Sequence, residues 1–201
     1  MKLLAFGDVH GNEKSLKNIE KKSKNCDILA GCGDFSIFED GLERTLIHLN
    51  NLKRPVVLIH GNHESEEDMR LLCEGKENLF FIHKGYAIIM DFVFFGFGGG
   101  GFSERFPDLD NMMKKMLNDV RRFKKEGKKI IFLSHAPPYD TLLDSIGDNS
   151  KLGNKSIRKF IEEAEPLLAL SGHLHENFGK QDALKKTLLV NPGPDGMIFN
   201  L

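Results

Sequence analysis

The chain has 201 residues, 40% of them apolar and 28% charged, with 28 basic against 29 acidic side chains and a net charge of −1. That length fits one compact domain, residues 1–201, and the composition excludes a disordered chain. The balanced charge removes the main argument for general nucleic-acid binding, and no apolar run approaches a membrane span or a secretion signal, so a cytoplasmic protein is expected. Cys26, Cys32 and Cys73 are odd in number and unpaired in spacing, and they read as reduced thiols outside any disulfide or zinc site.

In chain order, residues 2–7 read as a buried strand and 13–24 as a helix capped by Asn12, with Leu16 and Ile19 inward. The pattern repeats with strand 27–32, helix 40–51, strand 55–60 and helix 65–73, which Ser65 starts. Such alternation predicts parallel strands joined by crossovers. Residues 79–97 hold short apolar runs joined by brief turns, as in an antiparallel meander. A helix over 107–126 follows, with Met112, Met113, Met116, Leu117, Val120 and Phe123 at helical spacing, and this stripe reads as core filler. Strand 129–134, an aperiodic stretch 139–153, helix 154–164, strand 167–171 and short strands at 185–190 and 196–200 complete the chain. Two sheets packed face to face with helices outside are expected, and the aperiodic stretch is placed over the functional site.

Five apolar runs end in polar turns: Gly7-Asp8-Val9-His10-Gly11, Gly33-Asp34, Gly61-Asn62-His63-Glu64, Ser134-His135 and Gly172-His173-Leu174-His175. Ligands of open parallel sheets sit outside the carboxyl ends of the strands, where all these residues fall. Asp8 with His10, and His173 with His175, are i, i+2 pairs that an extended chain would point to one side. Four imidazoles, two carboxylates and an amide exceed one tetrahedral zinc and suit two ions sharing a carboxylate and a bridging hydroxide. Nitrogen and oxygen donors without thiolate suit manganese, iron or zinc better than magnesium or calcium. The residual positive charge of such a centre would attract a phosphate ester, with water attacking phosphorus in line.

The series D-x-H-G, G-D, G-N-H-E, S-H and G-H-x-H, running from Asp8 to His175 with Asn191-Pro192-Gly193 beyond it, resembles the calcineurin-like metallophosphoesterases. The resemblance implies an α/β four-layer sandwich of two mixed sheets flanked by helices, with a dinuclear centre. Asp8, His10, Asp34 and His175 would hold one ion, and Asp34, Asn62, His135 and His173 the other, with Asp34 shared. His63 would contact the phosphate and donate a proton to the leaving oxygen. The family pairs this histidine with an aspartate, and Glu64 stands in its place. Two divalent transition-metal ions, manganese foremost, and a small phosphate-ester substrate, monoester or diester, are therefore expected.

Other features receive blander readings. His60, His48 and His83 match no ligand position, and His60 should face away from the site. The run Gly98 to Gly101 lacks the lysine and hydroxyl of a P-loop and reads as a sheet-to-helix turn. The cluster Arg121, Arg122, Lys124, Lys125, Lys128 and Lys129 reads as a solvated face near a helix C-terminus. Tyr139, Asp140 and Arg105 are candidate substrate contacts. A nuclease and a non-catalytic interaction module of the same fold are the alternatives. The first finds little support in the charge, and the second should have lost ligands, whereas none is missing.

Overall fold

The structure, a computed structural model, describes residues 1–147 and 150–201. The first sheet is built from β1 (Lys2–Phe6), β2 (Ile28–Gly31), β3 (Val56–Leu58), β4 (Leu79–Phe81) and β13 (Met197–Asn200), in the order β13-β1-β2-β3-β4. The second contains β5 (Gly85–Ile89), β6 (Phe92–Phe97), β7 (Lys129–Ser134), β10 (Leu168–Leu170), β11 (Gln181–Leu184) and β12 (Thr187–Val190), in the order β11-β12-β10-β7-β6-β5. Strands β8 (Ser145–Ile146) and β9 (Ser150–Lys151) form a separate small hairpin. Helices α1 (Glu13–Ser23), α2 (Leu42–Asn50) and α3 (Glu66–Cys73) follow strands of the first sheet. Helices α4 (Pro107–Lys125) and α5 (Lys155–Ala164) belong to the second.

Side-chain alternation along the strands divides the core into three layers of contact. Leu3, Ala5, Ile28, Ala30, Val57 and Ile59 of the first sheet meet Phe92, Phe94, Ile131, Leu133, Leu168 and Leu170 of the second, filling the space between sheets. Their neighbours Leu4, Phe6, Leu29, Val56 and Leu58 face outward onto Leu16, Ile19, Leu46 and Met69 of the first three helices. Val93, Phe95 and Phe132 pack against Met113, Met116, Val120, Phe160 and Ile161 of α4 and α5. Strands buried on both faces explain why their sequences are unbroken apolar runs. The methionine stripe lies in this last cluster, although Met112 is only partly buried. These are the four layers expected: helix, sheet, sheet, helix.

The expected meander at 79–97 is corrected. β4 pairs parallel with β3 in the first sheet, and only β5 and β6 form an antiparallel pair, at the edge of the second. The segment is where the chain leaves one sheet for the other. Its three short runs share composition, so pattern alone could not separate them. A strand not expected from the sequence, β11, also precedes the expected strand at 185–190 and pairs antiparallel with β12.

Candidate metal centre

Parallel pairing of β1, β2 and β3, and of β7 with β10, sets the carboxyl ends of both sheets at one edge of the sandwich. Asp8 and His10 follow β1, Asp34 follows β2, Asn62 and His63 follow β3, His135 follows β7, and His173 and His175 follow β10. Donor atoms of Asp8, His10 and His175 lie within 4.8 Å of one another, as do those of Asp34, His135 and His173, and those of His10, Asp34 and His63. Asn62 Oδ1 lies 2.9 Å from His135 Nε2, which brings the amide to the second group.

The i, i+2 pairs converge by a different route from strand alternation. Asp8, His10 and His173 are left-handed, with φ of 54°, 47° and 70°, and His175 begins a 3₁₀ turn, His175–Asn177, so these tips are turns rather than extended strand. Asp34 adopts φ 53° as well. Such conformations cost non-glycine residues about 1 kcal/mol or more each, and a fold retains them where the side chain's direction matters. Local bonds hold them: His10 N–H donates to Asp34 O at 2.9 Å, and His173 N–H donates to Asp8 Oδ1 at 2.9 Å, joining the two sheets. A Cβ on Gly61 would lie 1.9 Å from Asp34 Oδ1, so the β3 turn can approach that carboxylate only as glycine.

Glu64 departs from the expected role. Its buried carboxylate accepts from Asp34 N–H and Gly61 N–H at 2.9 Å, Ser36 N–H at 3.0 Å and the Ser36 hydroxyl at 2.9 Å, fastening the β2 turn to the β3 turn. None of these hydrogen bonds goes to His63. The Phe38 N–H instead donates to His63 Nδ1 at 3.2 Å. A donor at Nδ1 fixes the tautomer with its proton on Nε2, and that atom faces Asp34 Oδ2 at 4.0 Å.

His10 and His135 show the opposite arrangement. The His10 Nδ1–H donates to Ser36 O at 2.9 Å and the His135 Nδ1–H to Cys32 O at 2.8 Å, as carbonyls require. Rings so held turn Nε2 inward, where His10 Nε2 meets His175 Nε2 at 3.3 Å and His135 Nε2 meets Asp34 Oδ2 at 3.4 Å. Asp8 Oδ2 and His173 Nε2 are buried without a hydrogen-bond partner. Facing lone pairs and orphaned donor atoms are what cations would satisfy, so these residues fit the two-ion reading.

The titration behaviour agrees. Burial raises the Asp8 carboxyl, partly opposed by His135 and the His173 amide. At Asp34 burial pushes upward, but the hydrogen bond and charge of His135 hold the group at about 2. Burial disfavours protonated His135, yet Asp34 outweighs it and raises the pKa to about 9, so without cations a proton bridges the pair. Burial lowers His173 to about 4, with His135 adding to the effect. A cation entering between Asp34 and His135 displaces that proton.

The other candidates lie elsewhere. Tyr139 lies beneath Lys155 Nζ, Asp140 pairs with Arg158 and Lys151, and Arg105 pairs with Asp110; none of these contacts reaches the cluster. Within the stretch 139–153, the buried Asp144 carboxylate accepts from the amides of Asp140, Thr141 and Gly153. It reaches the site's border where Asn177 Nδ2 donates to Leu143 O; residues 148 and 149 lie outside the described structure. His60 turns away as expected, packing on His83 at 4.5 Å between ring centres. In the basic cluster, Arg121 and Arg122 bond Asn118 and Asp119 of their own helix, while Lys124 donates to Ala164 O and Glu165 O. Two neighbours of the cluster went unread in the sequence. Phe38 rests on His63 with ring centres 4.4 Å apart, and Phe102 meets His173 edge-on at 4.5 Å. Only the glycine run before Phe102 hinted at either.

A four-layer sandwich whose two sheets meet in carboxylates and imidazoles defines a metallophosphoesterase fold. Residues 1–177 match the calcineurin-like phosphoesterase family, and the chain belongs to it. It is 30% identical over 200 residues to an uncharacterized protein of Methanocaldococcus jannaschii, covering 96% of this chain and 88% of that one. Among solved structures it is similar to a Thermus thermophilus protein at TM-score 0.74 and 18% identity, covering 96% of this chain and 88% of the other. It is likewise similar to a dimetal phosphatase of Danio rerio at TM-score 0.66 and 10% identity, covering 94% and 86%. No helix among the described residues is long and apolar enough to cross a membrane.

Proposed function

We propose that the protein hydrolyses a small phosphate ester, monoester or diester, at a two-ion centre held by Asp8, His10, Asp34 and His175 on one side and Asp34, Asn62, His135 and His173 on the other. The observation that carries this reading is the split at Nδ1 of the histidines: carbonyl acceptors there leave Nε2 of His10 and His135 as the inward atom, free to bind a cation once it carries no proton, whereas an amide donor there leaves a proton on His63 Nε2. The donor set favours manganese, with iron or zinc as alternatives. Bound there, two divalent ions would activate a water and neutralise the phosphoryl charge.

The chain's own residues then have distinct tasks. Asp34 lies between both groups of donors, and Glu64 fixes it by accepting its amide. Asn62 and His135 face one another, so their placement is mutually supported. As water oxygen bonds to phosphorus, the ester P–O bond opposite it breaks and the leaving oxygen departs with the electron pair. His63 is suited to donate a hydrogen bond from Nε2 to the phosphoryl or leaving oxygen. Full transfer of that proton would leave an imidazolate, because Nδ1 already accepts from Phe38. The role is therefore electrostatic, with the leaving group's proton coming from solvent.

The near-neutral charge gives a nuclease little support. Protein loaded with manganese is expected to cleave an activated aryl phosphate, and Asp34→Asn or His135→Ala to abolish the reaction. Activity retained in both variants would overturn the assignment.

A further inference from the structure

The geometry points to a substrate whose organic group is apolar and ring-sized, clamped between Phe38 and Phe102 at the mouth of the metal centre. This rests on the phosphoesterase reading and adds what the ester carries. Both phenylalanines project into solvent, 76% and 67% exposed, although each touches a histidine of the cluster. Isolated exposed apolar residues need no explanation, but two that border the same polar cluster, each presented by unusual backbone, do.

Phe38 has φ 49° and is followed by Glu39 at φ 69°, a pairing that disfavours a bulky aromatic residue. The turn is held there: Glu39 N–H donates to His63 O at 3.0 Å, and Ser65 N–H donates to Glu39 Oε1 at 3.2 Å. The backbone contortion that gives His63 its amide partner thus also seats a phenyl ring against the His63 imidazole. Phe102 is delivered by the glycine run. Gly99, Gly100 and Gly101 have φ of 78°, 94° and 46°, and a Cβ on Gly100 would lie 1.9 Å from the Phe106 ring. A Cβ on Gly101 would lie 3.6 Å from both Asn62 and His173, so the run passes beside the β3 tip and carries Phe102 onto His173. One ring borders His63, and the other is reached past its neighbour Asn62.

Charge favours the same class of substrate. Glu39, beside Phe38, adds negative charge to the rim. Arg105, the cation nearest Phe102 in the chain, is engaged by Asp110 at 3.4 Å, so a second phosphate, a polynucleotide or an anionic membrane would have to compete with that pair. One phosphoryl group held at the centre and an apolar ring beside it match the surface.

The test compares benzylphosphonate with methylphosphonate, neither of which can be hydrolysed, by calorimetric titration of the manganese-loaded full chain. Wild type is expected to bind the benzyl compound about tenfold or more tightly. In Phe38→Ala/Phe102→Ala the ratio should collapse toward one, and leucine at both positions should recover part of it. Both side chains are solvent-exposed, so the variants should fold. Equal affinities in wild type, or a ratio unchanged in the double variant, would overturn the clamp while leaving the phosphate site standing. Binding of neither compound would instead remove the phosphoesterase reading on which the clamp rests. Equal affinities together with wild-type sedimentation on phosphatidylcholine vesicles, lost in the double variant, would assign the rings to a membrane and also overturn it.

Discussion

Histidines of similar appearance differ here by the group behind the ring. Ser36 O and Cys32 O accept hydrogen bonds from Nδ1–H of His10 and His135, whereas the Phe38 N–H donates one to His63 Nδ1. A hydrogen-bond donor rather than an acid at position 63 makes a specific expectation. His63→Ala should keep metal content and lower kcat about a hundredfold or more, and His63→Gln, which restores a donor, should recover part of that loss. Equal rates in the alanine variant and wild type would remove the role, and Asn62→Ala should by contrast lower metal content. Glu64 carries a second expectation. Removing its carboxylate orphans the amides of Asp34, Ser36 and Gly61 in a buried place, so Glu64→Ala should cost about 3 kcal/mol, a melting-temperature drop of about 6–12 °C. An unchanged melting curve would show that those amides find other partners. The resemblance placed Glu64 behind His63, because spacing along the chain fixes which turn a residue occupies but not the direction of its side chain.

At the scale of elements, the sequence is most legible where an apolar run is long and flanked by glycine. β1, β2, β7 and β10 and their polar tips were found from such runs, and Asn12 and Asn154 cap α1 and α5 with the side-chain bonds their residue type offers. Two kinds of information were missing. Period and composition cannot tell which sheet a three-residue strand joins, so β4 was grouped with β5 and β6, although it pairs with β3. Left-handed turns at Asp8, His10, Asp34 and His173 were not legible either, because these residue types adopt that conformation only when neighbouring backbone demands it. Which residues converge could thus be read, while the way they converge could not. Gly61 shows what the turns require: Gly61→Ala should displace the Asp34 carboxylate and lower metal content, measured by elemental analysis after gel filtration, with secondary structure retained. Full metal content would mean that the β3 turn can shift without moving Asp34.

Over the whole molecule, seven of the eight histidines gather in two places, at the metal centre and behind the glycine run. Around the metal centre, first-sheet groups Asp8, His10, Asp34 and Asn62 face second-sheet groups His135, His173 and His175, so bound ions would cross-link the sheets. Chelation should then lower the melting temperature by about 8 °C or more if metal is supplied far above its dissociation constant. Behind the glycine run, His60 and His83 are buried as neutral rings. Burial lowers His60 to about 3 and His83 to about 4; at His83 the nearby Glu66 and Asp108 carboxylates oppose the shift, while Lys84 and Arg70 add to it. Because these folded-state values lie below the ordinary 6.5, the unfolded chain takes up protons first as the solution acidifies. Stability contributed by the neutral His83 ring is therefore present at neutral pH and is lost as pH falls from 6.5 toward 4, amounting to about 2 kcal/mol at pH 5. His83→Asn keeps an acceptor for the Gly98 N–H that bonds Nδ1 at 2.9 Å, and it cannot titrate. Urea unfolding at pH 7 and pH 5 should show wild type losing about 2 kcal/mol more than this variant across the interval. Equal losses would mean that His83 gains its proton while folded, with Glu66, 3.3 Å from Nε2, holding the charge.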